Sequence, residues 1–380
     1  MFYDNFLSEA HLMTRQTASR FAINEIRPQV QQWEEAGEFP RELYTKAAEA
    51  GLLGVGFDEE IGGSGGGAMS AVMVIEGLMQ GTSMGIAAGL GSLGIALPPI
   101  VQSGDGELID QFARPAIAGE LICALAITEP GTGSDVAAVR TRAERDGDHY
   151  IVNGAKLFIT SGVRADFITT LVRTGEDPHG GLSFLVIETD RPGVTRSAPL
   201  KKHGWWGSDT AEIGFKDVRV PAKNLIAAEG SGFLTLMQNF QNERLALAAY
   251  GVATAELAMD ESLSYAKERE AFGRPIKNFQ VNRHKLVDMK TRITSAKTLV
   301  YQVAHRMDDG QYLVEEVSMA KNHAARVAVD VCYDAVQLHG GMGYMRETVV
   351  ERLSRDARLL PIGGGTEEIM KEIIARQMGI

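Results

Sequence analysis

The stretch Phe233-Leu234-Thr235-Leu236-Met237-Gln238-Asn239-Phe240-Gln241-Asn242-Glu243-Arg244-Leu245-Ala246-Leu247-Ala248-Ala249-Tyr250 reads as a helix with one apolar stripe. Leu236, Phe240, Leu247 and Tyr250 recur at helical spacing, and Glu243 stands on the same stripe, where apolar residues are expected. Taking a carboxylate out of water is unfavourable by several kcal/mol and raises its pKa. Two readings of Glu243 follow. It forms an ion pair with a nearby Arg, or it is a general base facing an apolar pocket.

Outward from this stretch, the helical pattern runs to residue 267 and stops before Phe272-Gly273-Arg274-Pro275, where Gly and Pro interrupt it. Residues 278–307 and 314–338 read as two further long helices, and together they predict an antiparallel bundle. A last helix over 366–378 follows Gly363-Gly364-Gly365, with Thr366 as N-cap and Glu368 in the first turn.

Upstream, 122–127, 149–152, 167–172, 182–187, 193–196 and 210–220 are short β-rich runs. Gly147-Asp148 and Asn153-Gly154 read as hairpin turns. No strand leads into Gly-x-Gly-x-x-Gly and a crossover helix, so a nicotinamide-binding unit has no support. Residues 1 to about 120 read as helices over 14–33, 40–50, 68–79 and 84–103, and the glycine run at 62–67 reads as a loop without the context of a phosphate cradle. The expected fold is α+β, with an N-terminal all-α domain (1–120), a middle antiparallel β-barrel-like domain (121–230) and a C-terminal four-helix bundle (231–380).

With 380 residues, 44% hydrophobic and 23% charged, the chain is long enough for several domains with true cores. Its net charge of -11 argues against nucleic acid or an anionic membrane as partner. Cys123 and Cys332 lie in apolar runs without metal-ligand spacing, so no disulfide framework or metal site is expected. The opening residues show neither an Arg-rich presequence nor a signal-peptide core, which predicts a bacterial cytoplasmic setting. The apolar run 84–101 holds six Gly and Pro residues and reads as buried, not membrane-spanning.

Three stretches resemble the acyl-CoA dehydrogenase family. Ala126-Ile127-Thr128-Glu129-Pro130-Gly131-Thr132-Gly133-Ser134-Asp135 is similar to its first signature. Gln337-Leu338-His339-Gly340-Gly341-Met342-Gly343-Tyr344, with Arg355-Asp356 beyond, is similar to its second, and Arg269-Glu270-Ala271-Phe272-Gly273 with Gln280 to its Arg-x-x-Phe-Gly segment. The C-terminal third looks closest to the long-chain and isovaleryl members.

The resemblance implies FAD as cofactor, with Ile127, Thr128, Gly133, Ser134, Phe158 and Thr160 around the flavin and Thr366 and Glu368 near it. It implies that Arg269, Phe272, Gln280, Gln337 and Gly341 reach the FAD of a neighbouring subunit in a homotetramer built as a dimer of dimers. Arg269 would supply the charge and bidentate geometry that phosphate favours. An electron-transfer flavoprotein would be the electron acceptor.

Most members carry the catalytic Glu in a Tyr-Glu-Gly-Thr segment, but here Gly363-Gly364-Gly365-Thr366 stands at that place. The long-chain and isovaleryl branches instead place the base in a Glu-Arg-Leu segment, which Glu243-Arg244-Leu245 matches, so Glu243 is the expected base. Arg244 would help hold CoA, the Gly364 amide would polarise the thioester carbonyl, and Ser134 would touch substrate. Gly91 would leave a deep or wide acyl cavity, suited to long or branched chains. The expected reaction is α,β-dehydrogenation of an acyl-CoA to the trans-2-enoyl-CoA. The alternatives are an acyl-CoA oxidase, a flavin-retaining lyase and an acyl-CoA-binding relative.

Overall fold

The structure, a computed structural model, describes residues 4–380; residues 1–3, part of the opening stretch read above, lie outside them. The N-terminal segment is helical: α1 (Glu9–Phe21), α2 (Val30–Ala36), α3 (Glu42–Glu49) and α4 (Ala68–Leu78), followed by the short α5 (Met84–Leu90), α6 (Leu93–Ala96), α7 (Pro98–Gln102), α8 (Gly106–Leu108) and α9 (Arg114–Ile117). The single helix expected over 14–33 is split. A π-helical turn at Ala22–Ile26 separates α1 from α2, and Pro28 has no N–H to continue the ladder. The run 84–103 is likewise broken, with 47° between its two halves. No single helix among the described residues is long and apolar enough to cross a membrane, and α5 is almost wholly buried.

The middle segment carries β1 (Cys123–Ala126), β2 (Arg142–Asp146), β3 (His149–Thr160), β4 (Phe167–Arg173), β5 (Leu182–Glu188), β6 (Val194–Arg196), β7 (Thr210–Pro221) and β8 (Leu225–Ile226). They form one sheet in the order β6-β7-β3-β2-β4-β5-β8, with β1 also on β4. Most pairs are antiparallel, but β1 and β2 meet β4 in parallel. Gly147-Asp148 is the two-residue turn between Asp146 and His149. Asn153-Gly154 is not a turn. It lies inside β3, where the pairing with β7 shifts register and Gly154 takes φ 147°, so the dipeptide marks a bulge that bends the strand.

The C-terminal segment opens with α10 (Gly232–Glu268), passes through a small hairpin of β9 (Glu270–Ala271) and β10 (Arg274–Pro275), and continues as α11 (Gln280–Asp308), α12 (Val314–His339), α13 (Val349–Ala357) and α14 (Glu367–Met378). α10 packs tightly on α12: a Cβ at Gly251 would lie 2.8 Å from the Ala324 carbonyl oxygen. Thr366 caps α14, its hydroxyl accepting from the Ile369 amide at 3.3 Å.

A buried cluster ties the three segments together. Asp356 accepts from the Trp205 amide at 2.6 Å and the Met84 amide at 3.2 Å, while Glu34 accepts from the Gly207 amide and pairs with Arg355 at 2.9 Å. The guanidinium groups of Arg346 and Arg355 both lie over the Trp206 ring, 4.4 and 3.7 Å from its centre. The adjacent tryptophans are thereby a clamp between domains, and Trp205 also reaches the cavity described below.

The bulge in β3 gives a direct test. An added Cβ at Gly154 would sit 2.6 Å from Thr141 Oγ1 and 2.7 Å from Thr141 Cα. Gly154→Ala is expected to destabilise the protein by about 1–3 kcal/mol in urea unfolding.

Candidate active site

A cavity of about 590 Å³ lies where the three segments meet, within the size range of small-molecule sites. One wall is the stripe of α10: Phe240, Glu243, Ala246, Leu247 and Tyr250. The end of β1 and the loop beyond it contribute Ile127, Thr128, Gly133 and Ser134; β3 contributes Phe158 and Thr160; the loop before α14 contributes Gly363 to Thr366. Gly91 and apolar side chains of α4 close the far side.

Glu243 makes no ion pair among the described residues, and its buried Oε2 has no hydrogen-bond partner. Burial pushes its pKa up, against weaker opposing fields from Arg244 and Lys321. The ion-pair reading of this residue is therefore overturned. Arg244 is next in sequence, but neighbouring helix positions do not face each other. Its guanidinium is buried over the Phe240 ring, 5.3 Å from the centroid, and its Nε is unpartnered. The Lys321 ammonium donates instead to the Gly365 carbonyl at 2.6 Å, and burial brings its pKa down to about 8.

Gly364 explains why a carboxylate is absent from its position. It has φ 64°, and a Cβ there would fall 2.3 Å from Leu247 Cδ1 and 3.4 Å from Glu243 Oε1. A side chain at 364 and the present α10 stripe compete for the same space. The Gly364 amide donates to no group among the described residues.

The mouth of the cavity is built on a second charged contact that the sequence reading did not single out. Lys156, fully buried, donates to the Ile127 carbonyl and to Glu129 Oε1, both at 2.9 Å. Glu129 also accepts from the Arg140 and Thr141 amides. Burial works to raise the Glu129 pKa, yet Lys156 and these hydrogen bonds hold it below the usual range; burial brings Lys156 down to about 8. The Thr128 carbonyl accepts from the Leu157 amide at 2.8 Å. The first signature is thus laced to β3. Immediately beyond, the β3–β7 register shifts between Lys156 and Ile159, and Phe158 takes φ 61° with 65% of its surface exposed. Such strain persists only when the surroundings impose it. It turns an aromatic face out of the sheet at the cavity.

The remaining expected cofactor residues lie outside this cavity. Arg269, Phe272, Gln280, Gln337 and Gly341 are exposed on the C-terminal segment, and Phe272 is 95% exposed. Tyr265, near the end of α10 and four residues before Arg269, stacks on His339 of the second signature at 4.3 Å and donates to its carbonyl. Glu368 is exposed in the first turn of α14.

Three family models match along the chain: the acyl-CoA dehydrogenase N-terminal domain over residues 8–120, the middle domain over 124–218 and the C-terminal domain over 230–379. The chain belongs to the acyl-CoA dehydrogenase family. It is 40% identical to the mitochondrial long-chain specific acyl-CoA dehydrogenase of Sus scrofa, over 98% of this chain and 87% of that protein. A probable acyl-CoA dehydrogenase from Mycobacterium abscessus superposes with a TM-score of 0.97 at 52% identity, over 98% of this chain and all of the other. The CarC subunit of the caffeyl-CoA reductase-Etf complex of Acetobacterium woodii is 35% identical over 97% of this chain and 98% of its own.

As an acyl-CoA dehydrogenase, the protein is an FAD flavoprotein that dehydrogenates an acyl-CoA thioester. Its own residues fit a flavin. Phe158 presents a bare aromatic face, Thr128 and Thr160 line the cavity beside it, and Gly133 and Ser134 line its mouth.

Removing the cation under this mouth leaves Glu129 buried without its charge partner. Lys156→Met is expected to cost about 3–5 kcal/mol of stability in chemical denaturation and to lower the FAD retained on purification, read as the ratio of flavin to protein absorbance.

Proposed function

We propose that Glu243 is the base that removes the α-proton of the acyl thioester, and that the substrate carries a long or branched acyl chain. The role rests on Glu243 being an unpaired, desolvated carboxylate on the cavity wall, at the place Gly364 leaves open. A raised pKa suits it to take a proton near working pH.

The thioester carbonyl lies at the Gly364 amide, whose donor is free to stabilise negative charge developing on that oxygen. Lys321 holds the loop through the Gly365 carbonyl and keeps this amide in place. Leu247 and the closing side chains exclude water from the α-carbon, which preserves the basicity of Glu243. Arg244, buried with no acceptor for its Nε, meets the CoA portion. Ile127, Thr128, Phe158, Thr160 and Thr366 hold the flavin in the cavity, while Gly133 and Ser134 let backbone approach the pyrophosphate. The chemistry bound FAD supplies is acceptance of the β-hydride. The length of the apolar cavity, which runs from Glu243 to Leu53, Phe57 and Val74, supports a long or bulky acyl group.

The exposed Arg269, Phe272, Gln280, Gln337 and Gly341 support a cofactor site completed by a second copy, within a dimer of dimers. Glu368 belongs to the same cofactor environment through Thr366. An electron-transferring flavoprotein is the proposed electron acceptor, in line with the Etf assembly named for the Acetobacterium relative. Free, buried Cys123 and Cys332 fit a reducing, cytoplasmic setting.

Glu243→Gln is expected to retain FAD and to lose anaerobic bleaching of the flavin by a long-chain or branched acyl-CoA, by a factor of about a thousand or more in rate; bleaching at the wild-type rate would assign the base elsewhere. In the wild type, kcat/KM should rise with pH through a midpoint above the ordinary carboxylate range, because the competent form is ionised. Arg269→Ala, although outside the cavity of its own chain, should weaken FAD retention at least tenfold on gel filtration. Unchanged flavin content would count against the shared site.

A further inference from the structure

Tyr250 stands seven residues beyond Glu243 on the same stripe of α10 and lines the same cavity. It is 6% exposed, and its hydroxyl has no hydrogen-bond partner among the described residues. A buried tyrosine normally finds a partner for its O–H, because leaving it unpaired costs the desolvation of that group. Burial pushes its pKa up, so the phenol stays protonated and both donates and accepts.

The opposite wall keeps the hydroxyl open. At Gly91 an added Cβ would lie 3.1 Å from the Tyr250 oxygen. Glycine there leaves room for the phenol, so part of the depth expected from Gly91 is taken by a polar group. Around it the wall is mostly apolar, with Ala88, Leu90, Leu93, Ile95 and Leu247, and the hydroxyl of Ser92, which also lines it, is engaged in donating to the Cys123 carbonyl at 3.1 Å.

We propose that Tyr250 is a hydrogen-bonding subsite in the acyl cavity, and that the preferred acyl-CoA carries an uncharged oxygen function, a hydroxyl or carbonyl, partway along its chain. This rests on the dehydrogenase reading of the cavity. Position follows from the helix: seven residues advance about 10 Å. At about 1.2 Å per bond of extended chain, and allowing for the lean of both side chains, the oxygen falls about six to nine bonds beyond the α-carbon. That places it at about carbon 8 to carbon 11. Charge is set by the lining. None of the described residues lining the cavity is Lys, Arg or His, so a carboxylate at this depth would be buried without a cation, which is strongly unfavourable.

The test compares matched thioesters in the FAD-loaded protein: saturated dodecanoyl-CoA, and the same chain with a hydroxyl or keto group at carbons 8 to 11. Two readouts are taken, kcat/KM with an artificial acceptor and calorimetric affinity for the corresponding trans-2-enoyl-CoA products. The wild type should favour at least one oxygenated chain about tenfold in both. Tyr250→Phe, which removes only the hydroxyl, should bring that ratio to one or below. Gly91→Ala, which presses a methyl against the phenol oxygen, should reduce it as well. Equal affinities in the wild type, or a preference that survives Tyr250→Phe, overturns the proposal. A chain ending in a carboxylate that binds as well as the neutral ones also overturns it. If no thioester turns over while the affinity ratio still depends on Tyr250, the subsite stands and the dehydrogenase reading of this cavity falls.

Discussion

The structure depends on a carboxylate that is taken out of water and left without a counter-charge. Both cations near Glu243 are kept from pairing with it. Arg244 follows it on the helix and so points to another face, and Lys321 is held by the Gly365 carbonyl. Each acts on Glu243 through space, lowering a pKa that burial raises. If either paired directly, the carboxylate would be held ionised and its basicity lost. The unfavourable burial is sustained by α10 itself, 37 residues long, whose small residues let it lie close against α12.

The same packing fixes where a base can stand. Gly364 in a left-handed conformation brings its loop within reach of Leu247, and Lys321 and Thr366 hold that loop to α12 and α14. A side chain at 364 would displace Leu247, so the loop contributes backbone and the helix contributes the acid. The flavin side follows a parallel logic. The Lys156–Glu129 pair anchors the first signature to β3, and the bulge just past it turns Phe158 outward. In both places a rigid contact lies next to a residue in a left-handed conformation, one that glycine adopts freely at 364 and that is strained at Phe158, an arrangement that gives position without relying on loop order.

Much of this was legible in the sequence because the signals were local. The stripe of α10 is a periodicity, the Thr366 cap a residue type at a helix start, and the signatures around Ile127 and Gln337 are contiguous. What failed was context. Asn153-Gly154 has the composition of a hairpin turn, but β3 runs through it, because partners on β2 and β7 hold it in the sheet as a bulge. The choice between an ion pair and a free base at Glu243 turns on side chains distant in sequence, and only the fold shows that Lys321 is engaged by the Gly365 carbonyl. Nothing local in the sequence marks Lys156; its burial depends on Glu129, 27 residues earlier.

Trp205-Trp206 shows how such contacts extend from the site to the whole chain. Trp205 has φ 56° and lines the cavity, while its amide and indole are both held by Asp356. Asp356 also accepts from Met84 at the start of α5, the helix that leads into Gly91. One carboxylate therefore sets the position of a wall from the sheet segment relative to a wall from the N-terminal segment, while its own helix α13 packs on α12, which carries Lys321. The depth of the acyl cavity beside Tyr250 and the placement of the Gly364 amide beside Glu243 are consequently not independent. A change that loosened the Asp356 junction would alter the fit of the chain and the alignment of its α-carbon together.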